Sequence, residues 1–571
     1  MIRRILLQLV CVFFLTNSKA QTVLQSELLG RPSNSSVLVQ MHFSDSVEVF
    51  AKYGNSAGIY PNQTTYMLVP SGMVAEIIMN GLLADTKYFY RISYRKPGAP
   101  NFIERAEHSF HTQRVKGQTF TFTVQADPHL DASSDSALYR IALNNQLLDQ
   151  PDFMIDLGDF LMTDKLRNSS NVVPRDTITY RAKLLRSYYE SIGHSVPIYI
   201  ALGNHEGEAG WYNVGGANNI AVWNTIDRKK FFPNPIPDNF YTGDTIAYPN
   251  VGIRQANYAW TWGDALFIVV DPYWFTNPKP DSLNGWRWTL GKQQYDWLKT
   301  TLEKSNASYK FVFSHQIIGG DPEGRGGVEY ANLYEWGGEN KNGGYAFAAN
   351  RPGWYKPIKD LLTEHHVNIF FHGHDHFFGK QQKECMVYQE TPQPSLPQFT
   401  NALQAATYGY LEGQILPNSG HLRITVSPGG IQTDYVRAYK PSNETANRHN
   451  RDISATYFIG KVNCYDSLTG LIPTLWNTNY TDELVYPNPF TADVQIEFTL
   501  KNPDVLNVDI LDSYGKLVRT LLNNSSVPTG SFRILWDGKS TAGDELPAGV
   551  YYYKINGKYL GNVSGKMLIN R

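Results

Sequence analysis

This chain of 571 residues holds only three cysteines, and two of them, Cys385 and Cys464, lie beyond its N-terminal apolar run. Neither belongs to a Cys-x-x-Cys pair or adjoins a cluster of metal-binding residue types, so neither is assigned a catalytic role. Two such residues leave room for one disulfide or for two buried thiols. Charge of one sign is not in excess: Lys+Arg is 51 and Asp+Glu is 52. A basic nucleic-acid surface is therefore not expected. After the N-terminal run no stretch reaches eighteen uninterrupted apolar residues, which excludes a membrane-spanning helix in the remainder. Internal repeats and low-complexity tracts are absent as well.

What is present divides the chain. Its length exceeds what one hydrophobic core serves, and aromatic residues reach 13%, which suits β-rich domains. Arg3-Arg4, the apolar run Ile5 to Leu15 and the small residues around Ser18-Lys19-Ala20 have the order of a secretory signal. The run is too short to span a bilayer, so residues 1–20 are expected to be removed and the mature chain to start at Gln21. Cys11 lies inside this run without the small-residue context of a lipid attachment site.

Residues 21–115 alternate apolar and polar positions, as in Ser36 to His42 and Val47 to Tyr53, which predicts short strands. Leu82-Leu83, a turn, then Tyr88-x-Tyr90-x-Ile92 is the pattern of a tyrosine corner, in which a phenol bonds back to the turn of a β-sandwich. This segment resembles the fibronectin type III-like domain that precedes the catalytic domain of purple acid phosphatases; the resemblance implies a scaffold. From 116 to 470, strand-like runs (Phe120 to Ala126, Phe153 to Leu157, Pro197 to Leu202, Ala265 to Val270, Lys310 to Ser314, Val367 to Phe371) alternate with helical spacing (Ser134 to Leu148, Ile178 to Ile192, Tyr295 to Leu302), which predicts a layered α/β core. Two inserts rich in Gly, Asn and Trp, 207–256 and 317–352, interrupt it. Their Trp211, Tyr212, Trp223, Tyr334, Trp336 and Tyr345 either stack on a substrate or pack the inserts onto the core. A polar linker is expected over 471–483. Residues 484–571 carry Tyr486-Pro-Asn-Pro-Phe490, Trp536-Asp-Gly538, Gly549-Val-Tyr-Tyr-Tyr553 and a terminal Gly565-Lys-Met-Leu-Ile-Asn-Arg571, with glycine turns between alternating strands. These landmarks resemble the C-terminal sorting domain read by the type IX secretion system of certain gram-negative bacteria. That resemblance implies the secretion machinery as a partner and a secreted or outer-membrane-attached location; an ordinary Ig-like accessory domain is the alternative.

Five clusters in the α/β region carry the chemistry: Asp127-Pro-His129, Gly158-Asp159, Gly203-Asn204-His205-Glu206, Ser314-His315 and Gly373-His374-Asp375-His376. Each follows a strand-like run, and a layered α/β sheet delivers ligands at the carboxyl ends of its strands. Carboxylate and imidazole are the donors that divalent ions take, and a two-metal centre needs one ligand that bridges. Asp127 and His129, like His374 and His376, are two apart and on an extended segment would point the same way. A glycine before Asp159, Asn204 and His374 is expected to let the backbone turn sharply. The set resembles the calcineurin-like metallophosphoesterases, whose pattern runs D-x-H, G-D, G-N-H-E/D, H, G-H-x-H. All five blocks are present in order, over about 250 residues.

The resemblance implies a multi-domain fold: a β-sandwich, a four-layer α/β metallophosphoesterase core and a C-terminal Ig-like β-sandwich. It further implies that Asp127, His129 and His376 hold a first metal, that Asn204, His315 and His374 hold a second, and that Asp159 bridges them. His205 would contact the phosphate and give a proton to the leaving oxygen, and Asn204 would help orient the phosphate. The implied reaction is hydrolysis of a phosphate monoester on a small molecule by attack of a metal-bound hydroxide on phosphorus, with Mn, Fe or Zn as the ions. Phosphodiester or nucleotidase activity on nucleotides or lipid head groups is the alternative; a catalytically inert surface-binding protein is the reading furthest from an intact ligand set. One departure is visible. Purple acid phosphatases place an iron-ligating tyrosine after their G-D block, and here Met162 stands there; they also usually lack a histidine at the place of His129. No tyrosinate colour is expected. His372, just before Gly373, is expected on the strand's other face.

Overall fold

The computed structural model describes residues 23–571 apart from 282–283, 321–322, 462–479, 501, 514 and 558–559. The expected signal segment, Cys11, Cys464 and most of the expected linker lie outside the described residues. Cys385 is disulfide-bonded, and its partner is likewise outside them.

The N-terminal unit is two packed sheets. One has the order Val23–Gly30, Ser36–Phe43, Val74–Asn80; the other is centred on Val47–Gly54 and Lys87–Arg95. Alternation sends Val39, Met41, Ala75 and Ile77 from the first sheet and Val49, Ala51, Tyr90 and Ile92 from the second into one apolar core. The tyrosine corner forms as its sequence suggests, the Leu83 N–H donating to Tyr88 Oη at 3.0 Å. This sandwich docks on the helix Arg175–Gly193, where Tyr90 Oη donates to the His194 carbonyl at 2.7 Å and Arg186 Nη2 donates to the Ser26 and Gln40 carbonyls.

The middle unit holds two sheets face to face. A six-stranded sheet runs Ile198–Ile200, Phe153–Asp156, Phe120–Gln125, Gly420–Ser427, Gly430–Arg437, Ile453–Gly460, the first three strands parallel. An eight-stranded sheet contains the parallel run Ala265–Val269, Tyr309–Phe313, Ile369–His372, Met386–Glu390. Phe122 and Phe153 from one sheet and Phe267, Phe311, Phe313 and Phe371 from the other fill the gap, with Phe122 and Phe267 edge to face at 5.1 Å. The strands are buried on both faces. Phe153 and Ile155 point to this shared core, while Met154 points outward to the helices Ser136–Leu148 and Arg175–Gly193, packing with Leu143, Leu185 and Tyr189. The helices Lys292–Lys304 and Ile358–Glu364 cover the second sheet through Leu298, Leu302, Leu361 and Leu362. The result is helix, sheet, sheet, helix. Because the parallel strands run the same way, their carboxyl ends gather at one edge.

The structure adds to the sequence reading at three points. The insert 207–256 contains a helix, Ile220–Phe231, capped by Asn219, whose side chain accepts from the Val222 N–H. In the insert 317–352, Trp336 and Tyr334 are buried among core side chains and so pack rather than meet substrate. The strand Tyr480–Tyr486 starts within the segment expected as linker. The C-terminal unit is a second two-sheet packing, with Val494, Ile496, Phe498 and Trp536 facing Leu506, Val508, Ile510 and Tyr553. Among the described residues no helix is long and apolar enough to cross a membrane.

Candidate metal centre

The clusters converge at the gathered strand ends. Two groups of donors form, Asp127 with His129 and His376, and Asp159 with His315 and His374; within each group the donor atoms lie within 4.8 Å of one another. The groups adjoin: His315 Nε2 is 3.2 Å from Asp159 Oδ2 and 3.8 Å from Asp127 Oδ1, and His129 Nε2 is 3.6 Å from Asp127 Oδ1 and 3.9 Å from Asp159 Oδ2. Asn204 Oδ1 lies 3.1 Å from His315 Nε2. All seven residues expected as ligands are thus within one pocket.

The local backbone is unlike the extended segments expected. Asp127, His129, Asp159, His374 and His376 have φ of 58°, 49°, 56°, 79° and 64°. Non-glycine residues in this left-handed region cost about 1–3 kcal/mol each and persist only where surroundings impose them. Convergence of Asp127 with His129 therefore comes from left-handed turns and not from strand alternation. Of the three glycines expected to free the backbone, one does so and two act differently. Gly158 has φ of 108° and uses its freedom. Gly203 and Gly373 are needed for space: a Cβ on Gly203 would sit 2.2 Å from Asp159 Oδ1, and one on Gly373 would sit 2.6 Å from Asp127 Oδ2.

The donor chemistry fits cations. His315 Nδ1 lies 3.0 Å from the Leu157 carbonyl and His374 Nε2 lies 3.0 Å from the Glu323 carbonyl. A carbonyl only accepts, so these nitrogens carry the ring protons and leave lone pairs on His315 Nε2 and His374 Nδ1. Those lone pairs face each other at 3.2 Å, beside the oxygens of Asp159 and Asn204. Lone pairs converging on one point repel unless a metal ion or a proton on His315 lies among them. In the other group Asp127 Oδ1 and His129 Nε2 are buried and make no hydrogen bond among the described residues, facing each other at 3.6 Å with His376 Nε2 3.3 Å from Asp127 Oδ1. The pocket draws positive charge. Burial disfavours a charged imidazole, yet Asp127, Asp131 and Asp159 outweigh it at His129 and push it up to about 10. Asp159 and Asp127 do the same to His315, up to about 9. Burial raises the Asp127 carboxyl, but His315 and His376 hold it well below the usual range.

Several residues that shape the centre had no assigned role in the sequence. Glu206 is fully buried and accepts from the N–H groups of Asp159, Phe160 and Leu161 at 2.9, 2.9 and 3.1 Å, and from Gly203. Burial, and next the Asp159 charge, push its carboxyl up to about 7. Asp164 Oδ1 lies 2.9 Å from His205 Nδ1 and its other oxygen accepts from Tyr212 Oη at 3.3 Å. His205 Nε2 is thereby turned to the pocket, 4.0 Å from Asp159 Oδ2 and 3.2 Å from Asn204 Nδ2. Arg325, from the second insert, donates to the His374 carbonyl at 2.6 Å and stacks over Tyr408 at 4.3 Å. No spacing rule points to Asp164 or Arg325, since one reaches the site from the short 3-10 turn Thr163–Lys165 and the other from a loop. His372 stays out of the pocket, its Nδ1 2.8 Å from Glu390 Oε2, as expected of the opposite strand face.

Residues 120–378 match the calcineurin-like phosphoesterase family. The core of this chain is a metallophosphoesterase domain. It makes the chain a metal-dependent phosphoester hydrolase. Residues 488–561 match the FlgD Ig-like domain family. Among solved structures, PhoD is similar in fold, with a TM-score of 0.56, 15% identity, and coverage of 77% of this chain and 90% of that one. A purple acid phosphatase from yellow lupin (Lupinus luteus) seeds is similar at a TM-score of 0.50 and 12% identity, covering 76% of this chain and 74% of its own. No curated protein matches the chain. The position after Gly158-Asp159 at which purple acid phosphatases are expected to carry a tyrosine is Met162, buried with φ of 54°.

Proposed function

We propose that this chain is an exported phosphomonoesterase with a two-metal centre. Asp127, His129 and His376 hold one ion, Asn204, His315 and His374 the other, and Asp159 lies between them. The observation that carries the reading is the convergence of two buried donor groups, Asp127 with His129 and His376 and Asp159 with His315 and His374, in which His315 Nε2 and His374 Nδ1 lie 3.2 Å apart beside the Asp159 and Asn204 oxygens. When bound, two divalent ions neutralise phosphoryl charge and lower the pKa of a water. Mn, Fe and Zn all suit nitrogen and oxygen donors.

The chain's own residues do the rest. Asn204 turns its oxygen to the donor group and its nitrogen toward His205 Nε2, 3.2 Å away, on the side where a phosphate would lie. Asp164 fixes the Nδ1–H of His205, so that Nε2 faces the leaving oxygen. Water oxygen forms a bond to phosphorus and gives up a proton to solvent, the bond from phosphorus to the ester oxygen breaks, and His205 Nε2 supplies the proton that the leaving oxygen takes and regains one from solvent. Trp211 and Tyr212, half-buried beside Asp164, wall the leaving-group side. The N-terminal basic and apolar pattern supports export, and the Ig-like match at 488–561 together with the terminal Gly565 to Arg571 pattern supports a type IX sorting domain.

The test is a panel of phosphate monoesters and diesters with protein loaded with Mn or Zn, run beside His205→Ala. Monoesters should give the higher kcat/KM, and His205→Ala should lose about 100-fold or more on alkyl phosphates while retaining metal. A preference for diesters assigns the diesterase or nucleotidase reading instead. Absence of any hydrolysis by fully loaded protein leaves only a binding role.

A further inference from the structure

The helix Arg175–Gly193 carries two buried arginines, Arg181 and Arg186, that form no ion pair with a carboxylate among the described residues. They face different parts of the molecule. Arg186 donates to the Ser26 and Gln40 carbonyls of the N-terminal sandwich at 2.7 and 2.8 Å. Arg181 faces the metal loops. Its Nε donates to the Leu161 carbonyl at 2.6 Å, its Nη1 to Leu130 at 2.8 Å, and its Nη2 to His129 at 2.6 Å and Phe160 at 3.4 Å.

One guanidinium thus ties together the loop that presents Asp127 and His129 and the loop that presents Asp159. Both loops hold left-handed residues, including Leu130 at φ 53° and Met162 at 54°. Left to itself a chain abandons such conformations, which cost about 1–3 kcal/mol each. Glu206 holds the same segment from its other side, accepting the N–H groups of residues 159 to 161 whose neighbouring carbonyls Arg181 takes. A rigid planar fork of five N–H donors can bind four carbonyls at once; a lysine cannot. Burying a guanidinium with no carboxylate in contact is expensive; Arg181 bears that cost where the Asp127–His129 loop and the Asp159 loop meet, with the Asp131 and Glu206 charges acting on it from a distance.

We propose that Arg181 is a positioning residue of the metal centre, holding the His129 and Asp159 loops in the register that lets their side chains share cations. This rests on the proposed ligand assignment. It is separable from ordinary fold stability, because Arg186 provides a matched control on the same helix that touches no ligand loop.

The experiment compares full-length wild type, Arg181→Met, Arg181→Lys and Arg186→Met. The readouts are Mn content after dialysis, Mn affinity by competition with a chromophoric chelator, and thermal unfolding of the metal-free proteins. Arg181→Met should weaken Mn binding roughly 10-fold or more, in the range of other residues that orient ligands. Arg181→Lys should recover part of the loss. Arg186→Met should lower the unfolding temperature while Mn affinity stays within about twofold of wild type. Equal Mn affinity in Arg181→Met and wild type overturns the proposal, as does an equal loss in Arg181→Met and Arg186→Met. If Arg181→Met does not fold, Arg181→Lys against Arg186→Met decides by the same criteria. A wild type that binds no divalent metal refutes the ligand assignment itself.

Discussion

Asp164→Ala is the substitution that most directly probes the proposed proton donor. Asp164 is not a ligand in either donor group, and its contact with His205 is a single hydrogen bond of 2.9 Å. Hydrogen bonds to a charged group are worth about 1.5–3 kcal/mol, which converts to roughly 10- to 150-fold in rate if the bond acts fully in the transition state. The loss should not be uniform. A nitrophenolate departs with little help, whereas an alkoxide needs its proton as the bond to phosphorus breaks. Alkyl phosphates should therefore show the full loss in kcat and aryl phosphates a loss of only a few-fold. Asp164→Asn, which keeps an acceptor oxygen in reach of Nδ1, should fall between. The assay is steady-state kinetics on both leaving-group types with metal content measured in each variant. Equal losses on aryl and alkyl substrates with metal retained would refute the argument that Asp164 acts through His205 on the leaving oxygen.

Removing metal with a chelator should abolish hydrolysis and lower the unfolding temperature, and reloading at 100 times Kd should restore about 2.7 kcal/mol; an unfolding temperature indifferent to metal would contradict the centre described here. Loading with ferric iron should produce no phenolate-to-iron charge-transfer colour, since Met162 stands at the position beyond Asp159; an intense visible band would show otherwise. At the junction between sandwich and core, His108 and His194 stack at 4.2 Å, and burial, then His194, bring His108 down from 6.5 to about 4. Glu27 opposes this shift, while Arg105 and Arg91 favour it. The folded state thus prefers the neutral ring, so stability is intact above pH 6.5 and lost as pH falls toward 4. Thermal unfolding across that window should show a shallower decline for His108→Gln than for wild type, and identical slopes would count against it.

Much of this protein was legible before any fold was known. The strand-like runs ending at Ala126, Leu157, Leu202, Ser314 and Phe371 became strands that end within two residues of those positions, at Gln125, Asp156, Ile200, Phe313 and His372, because residues buried on both faces must be apolar throughout. Short elements embedded in the inserts were harder: the helix Ile220–Phe231 lacks a clean apolar stripe because Asn224, Thr225, Asp227 and Arg228 are themselves buried, satisfied by partners such as Glu208. Likewise Trp336 and Tyr345 look alike in sequence, yet one is fully buried and the other 64% exposed.

The amino-acid order by itself determined which residue types could bind metal and that each would stand at a strand end, since glycine, carboxylate and imidazole in that arrangement leave few other uses. Tertiary structure alone decided how those side chains are aimed. The proton positions on His315 and His374 are set by the carbonyls of Leu157 and Glu323, the orientation of His205 by Asp164, and the left-handed loops by Arg181 and Glu206. Those partners lie far away in the chain or in irregular loops, and a hydrogen bond depends on where atoms meet in space, a quantity that residue spacing does not encode.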